Sequence, residues 1–325
     1  MSEDDGSSGW QLMESDPGVF TELLKTLGVP LIFDDLYSLD AESLALLQPL
    51  HALVFLFKWI PTKSTDTSST SSGEYDTEFP GFFAHQVVNN ACATLAVLNA
   101  LGNIPSLPTG PQLAELNSFT TDMDPQTRGM VITSADWLRE AHNSLSPPGA
   151  ISLDGLGLPR KSEDAYHFVV YLPVMGTLYE LDGLKQYAVQ HGQFEERGEG
   201  WVKKAREVIE TRIGTYPVGA LDFSLLALRD DPLPILRLRL QKAQGSGNSA
   251  EAAEIMSMIS NENSKRDRWA FENSLRRHNH VGLVHALLLA LAKGGKLSQV
   301  QEQAKKTMQE RIEKRKAKGE DMDED

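Results

Sequence analysis

At 325 residues the chain has room for a sizeable core and an appendage rather than one average domain. Hydrophobic residues make up 41% and charged ones 23%, an ordinary globular balance, and no run approaches the roughly 18 apolar residues of a membrane span, so a soluble chain with no membrane partner is expected. Of the 31 basic and 45 acidic residues, 17 and 13 fall in residues 233–325, near +4, which leaves 14 and 32 in residues 1–232, near −18; that imbalance argues against nucleic-acid binding and suits a cationic protein partner or simple solubility.

Met1 to Gly9 holds Glu3, Asp4 and Asp5 and has neither a basic nor an apolar region of the kind a secretory signal needs, so a disordered start and an intracellular chain are expected. Trp10 to Ser15 reads as a short strand. Asp16-Pro17-Gly18 then supplies an N-cap and a proline at the first helical position for a helix over Val19 to Leu27. His51 to Ile60 is a nearly continuous apolar run of strand length, as in a strand covered on both faces. Thr62 to Thr77 is Ser/Thr-rich without periodicity and reads as a mobile surface loop.

Helices are expected at 91–101, 111–121, 134–144 and 199–213, and strands at 166–172, 177–182 and 221–228. Between them, Ser146 to Asp164 is a long Pro/Gly-rich loop of a length that usually has a functional reason. After Asp230-Asp231-Pro232 the texture becomes charged and helical, broken at Gln244 to Ser249, so a main domain over 10–232 and a helical extension over 233–318 are expected. Residues 319–325 form an acidic, disordered tip. The fold class is mixed α/β.

Cys92 is the only cysteine, which excludes an internal disulfide and a Cys-rich zinc site and leaves an inert buried thiol or a reactive one. It stands where loop sequence turns into the helical run Ala93 to Leu101, a position that favours thiolate over thiol. Gln86, six residues upstream, is placed to form an oxyanion hole with the Cys92 backbone N–H. The segment Tyr166 to Gly183 reads as a hairpin. With a loop at 174–175 His167 pairs directly with Asp182, with one at 175–176 the two are diagonal neighbours, and either register keeps them on one face. Such a pair is an orienting acid and a general base, or a satisfied polar pair. His278, His280 and His285 match no common zinc spacing, and no metal or cofactor is assigned.

The blocks WQLMESDPGVFTEL (10–23), FAHQVVNNACAT (83–94) and DAYHFVVYLPVMGTLYELDGL (164–184) resemble the ubiquitin C-terminal hydrolase family of cysteine deubiquitinases. In that resemblance Cys92 is the nucleophile, His167 the general base and acid, Asp182 its orienting acid and Gln86 the oxyanion glutamine. It implies a papain-like fold with a central antiparallel sheet flanked by helices, a crossover of the active site by 146–164, and a thioester route to cleavage after the terminal glycine of ubiquitin. Residues 266–318 resemble the C-terminal extension of the family's proteasome-associated members. That implies docking onto the ubiquitin receptor of the proteasome regulatory particle, association with a chromatin-remodelling complex, and cytoplasmic and nuclear pools. An arylamine-type acyltransferase also arranges Cys, His and Asp in this order, but the glutamine and the 10–23 block argue against it. A non-catalytic adaptor is disfavoured by four intact catalytic positions.

Overall fold

The computed structural model describes residues 9–58, 73–146, 166–216, 223–278 and 281–317. Their contacts divide into two units, one ending at Arg277 and one beginning at His278.

The first unit is built on a seven-stranded sheet: β1 (Leu31–Asp35), β2 (Leu50–Lys58), β3 (Glu74–Asp76), β4 (Tyr166–Val174), β5 (Thr177–Leu181), β6 (Ala188–Gln193) and β7 (Phe223–Asp230). Its order is β1-β7-β2-β4-β5-β6-β3, with every pair antiparallel. The central position of β2 explains its continuous apolar run. Both faces are covered, so Ala52, Val54 and Leu56 enter one core and Leu53, Phe55 and Phe57 the other.

The first core also takes Phe168, Val170 and Leu172 of β4 and packs α1 (Pro17–Thr26) and α3 (Cys92–Leu101) against the sheet. The second takes Val169 and Tyr171 and is covered by α7 (Trp201–Gly214). Of the remaining helices, α4 (Pro111–Thr120), α5 (Pro125–Thr133) and α6 (Asp136–Asn143) add residues such as Leu113, Ile132 and Leu138 to the first core, and α2 (Ala41–Leu46) adds Leu44 to the second.

The α1 start follows its sequence: Asp16 Oδ1 accepts from Gly18 N at 2.8 Å and from Val19 N at 3.2 Å, with proline in the first turn. The strand expected at Trp10 to Ser15 does not form. Its backbone has no strand neighbour and is held by side chains and helix ends. Trp10 Nε1 donates to Thr133 O, Asn143 Oδ1 accepts from Gln11 N, and buried His142 joins Gln11 O to Thr94 Oγ1 of α3. The loop expected over 62–77 ends in β3, which closes the sheet edge on β6, and the part of it up to residue 72 lies outside the described residues. The crossover segment, apart from Ser146, and the tip beyond Ala317 lie outside them too.

Helices α8 (Pro232–Gly245) and α9 (Ser249–Arg277), read from sequence as part of the extension, pack in this first unit. The break between them is confined to 246–248. Trp269 of α9 lies over Gly18, where an added Cβ would stand 2.6 Å from the indole, so α1 must carry a glycine there. Asn273 Nδ2 donates to Gly18 O at 3.0 Å, and Arg276 bridges Glu14 and Asp16 at 2.9 Å each. The second unit holds α10 (Val281–Lys293) and α11 (Leu297–Ala317), joined at Gly294-Gly295, with Gly295 in the left-handed region at φ 65°. On α10, Leu283, Val284, Leu287, Leu288 and Leu289 are exposed.

Candidate active site

Helix α3 begins at Cys92. Asn90, two residues earlier, takes a left-handed conformation at φ 64°, which asparagine tolerates, and its Nδ2 donates to Trp10 O at 3.1 Å. The chain therefore turns sharply into a helix whose every residue is buried, delivering the sulfur at its first position. Burial pushes the Cys92 thiol up to about 11, against the opposing hydrogen bonds from the backbone N–H groups of Ala93 and Cys92 itself. The helix start favours thiolate as its position implies, but desolvation of an 8% exposed sulfur is the larger effect, and at neutral pH the resting group is a thiol.

The hairpin adopts the second of the two registers. Val174 pairs with Thr177, so Met175 (φ 48°) and Gly176 (φ 79°) form a two-residue turn with both φ positive. His167 and Asp182 then lie diagonally, and the His167 Nε2 to Asp182 Oδ1 distance is 2.5 Å with both residues buried. Burial works to raise the Asp182 pKa. The hydrogen bond and charge of His167, with help from Leu184 N–H and Lys185, outweigh it and hold the carboxyl below its ordinary range. Asp182 is thus ionised and engages Nε2, leaving Nδ1 as the nitrogen for proton transfer. The ring stands edge-on to Phe57, its cross-strand partner, at 5.9 Å and 88°.

Gln86 is tied to the residue that follows Asp182: its backbone N–H donates to Gly183 O at 2.8 Å. A Cβ at Gly183 would come within 3.1 Å of Gln86 N, so glycine here permits the close approach. The Gln86 amide oxygen is buried and has no hydrogen-bond partner among the described residues. Its amide is therefore placed by the backbone rather than by bonds of its own. Hydrogen bonds join Gln86 to Gly183 and His167 to Asp182, the residue before Gly183 in the chain; among the described residues none joins Cys92 to His167.

Sequence reasoning missed the residues that hold the Gln86 segment from outside. Arg128 of α5 is buried and spends its guanidinium on three carbonyls, those of Phe83, Thr120 and Thr121, at 2.7, 3.1 and 2.9 Å. Gly129 follows it because a Cβ there would stand 2.1 Å from His85 O. The signal was present. Asp124-Pro125 starts α5 by the same cap-and-proline device as Asp16-Pro17, with Asp124 Oδ1 accepting from Gln126 N and Thr127 N at 3.0 Å.

A helix-borne thiol, an ionised acid–imidazole pair on an antiparallel hairpin and a backbone-placed glutamine are the kinds of group that a papain-like thiol hydrolase uses. The family model described as ubiquitin carboxyl-terminal hydrolase, family 1, matches residues 10–214, and a second, ubiquitin carboxyl-terminal hydrolases, matches residues 252–297. The chain belongs to this family and is a cysteine deubiquitinase, as its sequence blocks lead one to expect. It is 37% identical over 298 residues to ubiquitin carboxyl-terminal hydrolase ubh-4 of Caenorhabditis elegans, covering 90% of each chain. To ubiquitin carboxyl-terminal hydrolase isozyme L5 of Dictyostelium discoideum it is 30% identical, covering 94% of this chain and 97% of the other. Among solved structures, Trichinella spiralis UCH37 bound to ubiquitin vinyl methyl ester superposes with a TM-score of 0.64 at 33% identity, over 80% of this chain and 99% of that one.

Proposed function

We propose that Cys92 is the nucleophile of this deubiquitinase, His167 its general base and acid, Asp182 the orienting carboxylate and Gln86 an oxyanion donor. The observation that carries the reading is the buried 2.5 Å contact of His167 Nε2 with an ionised Asp182, which leaves Nδ1 for the thiol proton. When bound ubiquitin brings imidazole and thiol into line, Nδ1 takes the proton and Sγ attacks the carbonyl of the terminal glycine. The oxyanion is met by the Gln86 amide and the Cys92 N–H. Collapse breaks the C–N bond, and the imidazolium returns its proton to the leaving amine. The thioester is then attacked by a water that gives its proton to His167, which releases the ubiquitin carboxylate and restores the thiol. Reaction with ubiquitin bearing a C-terminal electrophile, followed by peptide mass mapping, is expected to find the adduct on Cys92; an adduct elsewhere, or none, would refute the assignment.

The finer partner reading, docking to the ubiquitin receptor of the proteasome regulatory particle and to a chromatin-remodelling complex, rests on the resemblance of residues 266–318 to the extension of the family's proteasome-associated members, and the exposed leucines of α10 supply an apolar surface for it. A chain ending at Arg277 is expected to lose co-purification with both, while full-length protein is recovered with them from cytosolic and nuclear fractions respectively. Retention of either partner by the shortened chain would count against the α10 face.

A further inference from the structure

Asn99 of α3 and Asn103, in the turn that continues just past its end, lie seven and eleven residues beyond Cys92. At 3.6 residues per turn both project within about 20° of Cys92 around the helix axis. Along that face runs the segment 82–86, in the opposite direction. Asn103 Oδ1 accepts from Phe82 N and its Nδ2 donates to Phe82 O, both at 2.8 Å; Asn99 Oδ1 accepts from Ala84 N at 2.8 Å and its Nδ2 donates to Ala84 O at 3.1 Å. The third rung in this period of two is Gln86, whose N–H goes to Gly183 O. The intervening residues face the other way, Phe83 O to Arg128 and His85 N to Pro125 O. Two residues of extended chain advance about 6.6 Å and four residues of helix about 6.0 Å, so two asparagines four apart match alternate residues of the segment. They pair with it as a neighbouring strand would.

Neither Asn99 nor Ala84 is more than 1% exposed, so the Asn99 rung has no water to replace it. It lies between the helix that delivers Cys92 and the residue, two further on, that delivers Gln86. From this geometry we infer that Asn99 is a positioning residue for the reaction: its paired bonds to Ala84 set the register of segment 82–86 on α3, and so the place of the Gln86 amide relative to Cys92. This rests on the reading of Gln86 as an oxyanion donor.

The test is a cycle of kcat and KM for release of ubiquitin from a C-terminal amide, using the full chain with Asn99→Leu, Gln86→Ala and both. Asn99→Leu keeps the branched four-atom skeleton of the side chain and removes both bonds. It is expected to lower kcat about tenfold with KM within about twofold, since a misplaced oxyanion donor affects the transition state more than binding. Gln86→Ala alone is expected to lower kcat about 100-fold, and in that background Asn99→Leu should change kcat by less than about twofold, because the group it positions is gone. Equal losses in the two backgrounds would overturn the proposal while leaving the role of Gln86 intact. A parental rate for Gln86→Ala would overturn both. If thermal melting shows Asn99→Leu unfolded, Asn103→Leu at the half-buried end of the ladder carries the same cycle with the same outcomes.

Discussion

Cys92→Ala is expected to leave a protein that folds and binds ubiquitin but releases it from a C-terminal amide at less than about 10⁻⁵ of the parent rate, the scale on which a lost nucleophile is felt. Alanine fits the first position of α3 and removes only the sulfur from an otherwise apolar surround. His167→Ala separates the nucleophile from its activation. Because burial pushes the Cys92 thiol up to about 11, almost no thiolate exists at pH 7 without a base to take its proton. Loss of the imidazole should therefore lower kcat by about 10³- to 10⁴-fold at neutral pH. The pH profile carries the sharper test. In His167→Ala the rate should climb about tenfold per pH unit towards pH 10, since each unit below the thiol pKa multiplies the thiolate tenfold, whereas the parent should not follow hydroxide in this way. A flat profile in the variant would mean that the nucleophile is not this buried thiol.

Glu180→Ala is expected to destabilise the first unit by about 3–5 kcal/mol, read as a lower urea midpoint with the slope unchanged. Glu180 lies two residues before Asp182 and so on the same sheet face, fully buried. Lys185 Nζ and Arg212 Nη1 meet its Oε1 at 2.7 and 3.1 Å, and His191 Nε2 meets its Oε2 at 3.1 Å. Arg212 also donates to Tyr171 Oη at 2.8 Å and stacks 4.5 Å from the Phe57 ring, which in turn borders His167. Removing the carboxylate strands a buried guanidinium whose Nε already lacks a partner among the described residues. The double variant Glu180→Leu with Arg212→Met should recover much of the loss, because the ion pair is costly to break and not to replace. The sign of the pH dependence follows. Burial raises the Glu180 pKa, but the hydrogen bond from His191 and the charges of Arg212 and Lys185 override it and hold the carboxyl well below its ordinary 4.5. A depressed acid contributes stability that is fully present above the unfolded value and is lost as pH falls below it. Parent stability should therefore drop below about pH 4.5 more steeply than that of the double variant; equal slopes would show that the network is not held by charge.

The features legible in the amino-acid sequence are short-range ones. Asp16-Pro17 starts a helix, the described part of the apolar run, to Lys58, is a twice-covered strand, and Met175-Gly176 closes a hairpin that keeps His167 and Asp182 on one face. What escaped was set by distant partners. The 10–15 segment has strand-like residues, but Trp10 Nε1 and Gln11 N bond to α5 and α6, more than 120 residues away, rather than to a neighbouring strand. The short strands β1 and β6 form because β7 and β5 lie beside them, and α2 and α5 were overlooked although Asp40 and Asp124 cap them. Assigning α8 and α9 to a separate extension followed their charge texture; their packing in the first unit depends on Trp269, Asn273 and Arg276 meeting α1 and the 14–16 turn, pairings that no local pattern encodes.

The four candidate residues themselves were legible, since nucleophile position, hairpin geometry and glutamine spacing are short-range properties of the chain. The protonation of Cys92 was not. A helix start favours thiolate, and only the packing of the first core around the sulfur makes desolvation the larger effect and leaves a thiol at rest. Sequence by itself offered Cys92, His167, Asp182 and Gln86 as the candidate groups, through local spacing together with the family resemblance of the blocks that hold them. Tertiary structure alone decided that Cys92 rests as a thiol and that the Gln86 segment is held between Asn99, Arg128 and Gly183, because burial and hydrogen bonding to residues distant in the chain set both.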